Sequence, residues 1–234
     1  MDCIILCGGF GTRLQKTVPH LPKALAPING LPFMNLLFNQ LKSFKRVRNV
    51  ILATGYRAEE VQSYCKGIAH PLLLDFSHEN TPLGTGGAVK KALQKTSSEH
   101  VLVLNGDCYS NYSLEKFYQQ HVATHARISL LCPYVKDTSR FGKIEIDSKT
   151  LEITSFIEKG NQSVEGWING GTYLIEKTLF LDGNYPAAFS IEKDVFPKFL
   201  RNGMYAYLYE GVFIDIGTHS SFIQAQKLLE PLTI

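Results

Sequence analysis

A chain of 234 residues, 44% hydrophobic and 19% charged, has the composition of an ordinary folded protein and excludes disordered, collagen-like and low-complexity classes. Its 24 Lys and Arg against 21 Asp and Glu leave a charge of +3 with no basic run, which argues against a nucleic-acid partner. The longest apolar stretches are strand-length, short of the ~20 residues that span a bilayer, so no membrane partner is expected either.

The first half alternates strand-like and helical patterns. Asp2 to Cys7 reads as a buried strand that runs into a glycine-rich loop. Phe33 to Lys45 carries apolar residues at Phe33, Leu36, Leu37, Leu41 and Phe44, which is helical spacing. Strands follow at Asn49–Thr54, Leu72–Phe76 and Val101–Leu104, with helices from near Ala58, over Thr85–Thr96, and over Ser113–Thr124 with Ser113 as N-cap. The second half is richer in strands: Ile128–Tyr134, Gly142–Ile146, Glu152–Glu158, Ile168–Ile175 and Tyr205–Tyr209. Two more helices are expected over Ser190–Arg201 and Ser220–Leu229. The alternation predicts an α/β fold, Rossmann-like, with a mixed, mostly parallel sheet, helices on both faces and an antiparallel extension. No linker or repeat divides the chain, so residues 1–234 are read as a single domain.

The five cysteines are odd in number and form no CxxC pair, and the N-terminus lacks a basic n-region. Free thiols and a cytoplasmic setting are the expectation, with Cys3 and Cys7 buried and inert in their apolar strand. His121 and His125 share i, i+4 spacing, but Val122 stands where a zinc-protease helix needs glutamate, which favours an ordinary surface helix.

Gly8-Gly9-Phe10-Gly11-Thr12-Arg13 follows the first strand directly. So little Cβ bulk lets backbone N–H groups approach phosphate oxygens. Arg13 adds a guanidinium fork and Lys23 a point charge ten residues on, in a segment stiffened by Pro19 and Pro22. The loop is neither GxxxxGK[ST] nor GxGxxG, so it is not a Walker A loop and argues against a dinucleotide-dependent oxidoreductase. Taken alone, three glycines are explained by a tight turn, and Asn105-Gly106-Asp107 by ordinary turn chemistry. Asp215 between Phe213-Ile214 and Ile216 is different, because burying it requires a partner or a metal.

The longer pattern resembles the sugar-1-phosphate nucleotidyltransferases. Gly8 through Leu14 and Pro22-Lys23-Ala24-Leu25-Ala26-Pro27-Ile28-Asn29-Gly30-Leu31-Pro32 are similar to that family's GGxGTRL and PKxLxPIxGxP signatures. The likeness extends through Pro82–Ala88, Asn105–Asp107, Phe141–Ile144, Phe156–Lys159, Ile168–Tyr173 and Phe213–Gly217. Gly160 departs from it, since the family usually has proline there.

The resemblance implies transfer of a nucleotidyl group from an NTP to a sugar 1-phosphate, with Mg²⁺ as cofactor held by Asp107 and Asp215. Arg13 and Lys23 are expected to act on the triphosphate and, with the two aspartates, to be the catalytic groups. The nucleotide is assigned to Leu6, Gly8, Gly9, Gly11, Thr12, Arg13, Lys23, Glu79, Gly84, Thr85 and Asp107, within a half spanning roughly 1–125. The sugar phosphate is assigned to Gly142, Glu158, Lys159, Asn169 and Gly170, within roughly 126–234. Glu79 lies where the family reads the base. A carboxylate only accepts, and guanine presents two adjacent donors, so GTP is favoured over other NTPs. Within the family the short length and the Phe189–Asp194 stretch resemble compact guanylyltransferases acting on a heptose 1-phosphate. Mannose 1-phosphate and N-acetylmuramate 1-phosphate (with UTP) are alternatives, as are a non-catalytic sugar-nucleotide-binding subunit and a choline-phosphate cytidylyltransferase. Self-association into a homo-oligomer is left open.

Overall fold

The computed structural model describes residues 1–69, 71–157 and 164–229. Its centre is an eight-stranded sheet of β1 (Asp2–Leu6), β2 (Asn49–Thr54), β3 (Leu73–His78), β4 (His100–Asn105), β5 (Ile128–Val135), β6 (Gly166–Trp167), β7 (Thr172–Glu176) and β8 (Met204–Tyr209). The spatial order is β3-β2-β1-β4-β7-β5-β8, with β6 lying beyond β7 on the same edge of β5. Pairs β3–β2, β2–β1, β1–β4 and β5–β8 are parallel, whereas β7 runs antiparallel to both β4 and β5. The antiparallel element therefore sits inside the sheet and joins the two halves of the chain through it.

Successive residues of a strand face opposite sides, so β1 and β4 each feed two cores. Cys3, Ile5, Leu102 and Leu104 pack beneath α1 (Met34–Ser43), α2 (Ala58–Gly67), the helix Leu114–Ala123 and the helix His219–Leu228. Ile4, Ile51, Val101 and Val103 pack on the other face beneath α3 (Gly84–Leu93) and the segment Phe189–Phe199. Helices thus cover both faces, as the apolar strands require. Ser113 caps its helix as expected, its hydroxyl accepting from the Lys116 amide. Cys3 and Cys7 are buried, and burial pushes both thiols up in pKa. Among the described residues no helix is long and apolar enough to cross a membrane.

Three expectations need correction. Ile168–Ile175 is not one strand: Ile168–Gly171 interrupts the ladder between β6 and β7, with Gly171 at φ +72° turning the chain. Ser190–Arg201 is not one helix either. A wide turn over Ile191–Val195 passes into a short 3₁₀ turn, Phe196–Lys198, because Pro197 lacks the N–H and crowds the preceding turn. His121 is not on a surface helix face. It is 1% exposed, between Ser129 and His100, and His125 lies past the helix end at φ +48°. Short strands the pattern did not reveal, Cys108–Ser110 and Phe213–Asp215, pair antiparallel at the end of β4.

Candidate active site

The strand order reverses between β1 and β4, and a crevice opens at the carboxyl ends of those strands, the usual ligand position in such sheets. The cavity there, about 320 Å³, is lined by Leu6, the Gly8–Gly11 loop, Lys23, Glu79, Gly84, Thr85 and Asn105–Asp107, among others. A second cavity of about 300 Å³ shares Gly8, Phe10, Glu79 and Pro82 with it and extends past Tyr56 and Asn80. Phe10 and Tyr56, with ring centres 5.4 Å apart, wall that extension.

The loop glycines have two distinct tasks. Gly11 sits at φ +62° with the Lys23 stem against it, and a Cβ would lie 2.8 Å from Lys23 Cγ. Gly8 and Gly55 give Glu79 its berth: added Cβ atoms would approach Glu79 Oε1 to 3.0 and 2.8 Å. Glu79 Oε2 accepts from the Leu83 amide at 3.2 Å, and burial raises the carboxyl above its ordinary pKa despite that bond.

The charged centre lies where Asp107 leaves β4. Lys23 Nζ donates to Asp107 Oδ2 at 2.6 Å, with both side chains largely buried. The antiparallel pair sets Cys108 opposite Asp215, and the Ile216 amide donates to the Asp107 carbonyl at 3.0 Å. Asp215 Oδ1 accepts from Arg140 at 2.8 Å and from the Gly217 amide at 2.9 Å. One ligand atom each from Asp107, Cys108 and Asp215 lie within 4.8 Å of one another. Burial, then the two carboxylates, push the Cys108 thiol well up in pKa. A third cavity, about 280 Å³, is lined by Asp137, Arg140, Phe141, Phe213 and Asp215.

Of the residues singled out in the sequence, Leu6, Gly8, Gly9, Gly11, Lys23, Glu79, Gly84, Thr85 and Asp107 line one crevice, and Asp215 stands beside Asp107. Thr12 and Arg13 are exposed on the same loop but not on the cavity wall. The Thr85 hydroxyl is already engaged, accepting from Ile191 N at 2.9 Å and donating to Glu192 Oε2 at 2.8 Å. Asn169 and Gly170 line none of these cavities. The Asn169 side chain accepts from the Gly171 amide, and the Gly170 backbone lies against Pro133 and Leu131. Gly142 turns the chain at φ +80° directly after Phe141. Glu158 and Lys159 lie outside the described residues. Sequence reasoning missed Arg140, Cys108 and Gly55, and noted Glu192 only within the Phe189–Asp194 stretch. Arg140 adjoins the noted Phe141-Gly142 segment and Cys108 follows Asp107, so proximity was the available signal.

A family model described as nucleotidyl transferase matches residues 2–231. D-glycero-alpha-D-manno-heptose 1-phosphate guanylyltransferase of Aneurinibacillus thermoaerophilus is 38% identical over 231 residues, spanning 98% of this chain and 99% of that one. The protein of the same name from Campylobacter jejuni is 36% identical over 222 residues, spanning 95% and 97%. A crystal structure of HddC from Yersinia pseudotuberculosis complexed with GMP-PN aligns with TM-score 0.85 at 34% identity, covering 97% of this chain and 99% of that one.

Proposed function

The chain belongs to the nucleotidyl transferase family, and from that premise we propose that it joins GTP to D-glycero-α-D-manno-heptose 1-phosphate, yielding GDP-heptose and pyrophosphate. The observation that carries the reading is the end-to-end likeness to two heptose 1-phosphate guanylyltransferases, which match over 99% and 97% of their own lengths. Glu79 supports the choice of base, since an acceptor-only carboxylate beside the Phe10–Tyr56 wall suits guanine N1–H and its 2-amino group.

In the reaction a phosphate oxygen of the sugar attacks the α-phosphorus in line, and pyrophosphate leaves. Two anions must meet, so positioning and charge neutralisation dominate. The Gly8–Gly11 backbone and the Gly84 and Thr85 amides at the start of α3, where those of Gly86 and Gly87 already donate to the Phe189 carbonyl, offer a partial positive charge to the phosphates. Lys23, anchored across Gly11, neutralises charge on the triphosphate, and Arg13 reaches the departing pyrophosphate from the exposed part of the loop. The donor set fits a divalent cation: two carboxylates converge, and each keeps one oxygen turned away from its cationic partner. Asp107 and Asp215 would hold Mg²⁺, which when bound supplies charge neutralisation and alignment of the phosphates. Lys159 receives the sugar phosphate and Glu158 a sugar hydroxyl, with Gly142, Asn169 and Gly170 shaping that end. The nucleotide occupies the half of roughly 1–125 and the sugar phosphate that of roughly 126–234.

Pyrophosphate release across GTP, UTP, ATP and CTP, each with heptose, mannose and N-acetylmuramate 1-phosphates, tests the reading. GTP with the heptose 1-phosphate should give the highest kcat/KM. A preference for UTP would overturn the guanylyl assignment, and a preference for mannose 1-phosphate would overturn the sugar.

A further inference from the structure

We propose that in this chain the carboxylate pair is a three-donor site completed by Cys108 Sγ, which takes a thiophilic divalent cation of tetrahedral habit, such as Zn²⁺ or Cd²⁺. The proposal rests on the reading that Asp107 and Asp215 hold the metal, and adds a donor and a class of ion to it. The backbone sets the arrangement. Cys108 follows Asp107 in sequence and faces Asp215 across the antiparallel pair, so both carboxylates flank one thiol.

The carboxylates are used asymmetrically. Asp107 gives Oδ2 to Lys23 and turns Oδ1 to Cys108 Sγ, 3.5 Å away. Asp215 gives Oδ1 to Arg140 and the Gly217 amide and turns Oδ2 to the same sulfur, 3.9 Å away. Lys23 and Arg140 therefore hold the outer oxygens, while the inner oxygens converge on the thiol. Outer partners of that kind orient ligating carboxylates and need not leave when an ion enters.

The spacing admits a tetrahedral ion. Zinc bonds of about 2.3 Å to sulfur and about 2.0–2.2 Å to oxygen place tetrahedral donors roughly 3.3–3.8 Å apart. The two sulfur–oxygen separations fall in or beside that range, and one ligand atom from each of the three residues lies within 4.8 Å of the other two. Mg²⁺ demands octahedral oxygen at about 2.0–2.1 Å and gains nothing from a thiol, whereas a softer ion does. On binding, one metal–sulfur and two metal–oxygen bonds form, and the thiol proton passes to solvent. An ion so held blocks the carboxylates, so Zn²⁺ and Cd²⁺ act as tight, Cys108-dependent inhibitors of the Mg²⁺-supported reaction.

The test titrates the full chain with Cd²⁺ and Co²⁺, follows sulfur-to-metal charge transfer in the ultraviolet, and measures Zn²⁺ affinity against a chromophoric chelator. Wild type should bind one equivalent with a thiolate band. Cys108→Ser and Cys108→Ala should lose the band and weaken Zn²⁺ binding at least as much as the roughly 10–100-fold that loss of an outer-shell partner costs. Equal affinity in the variants would overturn the proposal, as would a band persisting in them, which would place the ion on another cysteine. Should the variants not fold, Asp215→Asn decides: it should weaken Cd²⁺ binding and diminish the band, and an unchanged titration refutes the site. The parent reading fails separately, by Mg²⁺-supported turnover surviving in Asp107→Asn and Asp215→Asn.

Discussion

Glu79→Gln probes base selection most directly, because the structure determines which way the amide must point. The Leu83 amide requires an acceptor at Oε2, so the glutamine carbonyl stays there and its NH₂ replaces Oε1 between Gly8 and Gly55. Guanine then meets a donor where it met an anionic acceptor. A hydrogen bond to a charged group contributes about 1.5–3 kcal/mol, and an unsatisfied donor costs about 1–3 kcal/mol. A combined loss near 3 kcal/mol corresponds to roughly a hundredfold fall in kcat/KM for GTP. Uracil presents an acceptor on either side of its N–H, and the NH₂ can donate to one of them, so use of UTP should hold or rise. Steady-state pyrophosphate release with one sugar phosphate gives both numbers on both proteins. An unchanged GTP-to-UTP ratio would refute the argument and move base recognition to backbone groups near Gly84. Acid should have a parallel effect. Burial raises the Glu79 pKa, so protonation should weaken GTP use at a higher pH than an ordinary glutamate would.

Asp107→Asn and Asp215→Asn should each lower turnover by roughly two to three orders of magnitude, while circular dichroism and melting show an intact fold; near-normal turnover would remove them from the reaction. Asp2 is 3% exposed and accepts from the Ser97 and Ser98 amides and the Asn49 side chain, so Asp2→Ala should destabilise by roughly 2–4 kcal/mol in denaturant melts. Burial raises its pKa, but those bonds together outweigh it and lower the pKa below 3.8, so its contribution is present above that value and is lost as pH falls through the lower folded-state value. His121 acts in the same direction at a milder pH. Burial and His100 depress it from 6.5 to about 4, so the unfolded chain takes its proton first and stability falls from pH 6.5 down to about 4. The loss should approach roughly 3 kcal/mol, and His121→Leu should flatten the pH dependence of Tm over that interval.

Much of this protein was legible in its residue order because the relevant physics is local. The apolar runs of β1, β2 and β4, the helical spacing of Phe33–Lys45 and the N-cap at Ser113 are each decided within a few residues. The glycine-rich loop and Lys23 were legible for the same reason, since a strand end followed by glycines and a cation states its chemistry in sequence. Pro197 is also visible in the sequence, and it ends the helical pattern around it. Other features depended on partners distant in the chain. Nothing local says that Cys108 faces Asp215 across 107 positions, that Arg140 closes on Asp215, or that His121 is buried against Ser129 and His100. Gly55 and Gly8 look like turn residues until Glu79 is seen lying over both. Asn169-Gly170-Gly171 carries turn chemistry in the sequence itself, and the apolar Thr172–Ile175 run after it hides the break between two short strands. The sequence determined which chemical groups were present and which segments would be strand or helix. Tertiary structure decided which of those groups meet, because hydrogen-bond register and close packing act between segments whose separation along the chain carries no record of their distance in space.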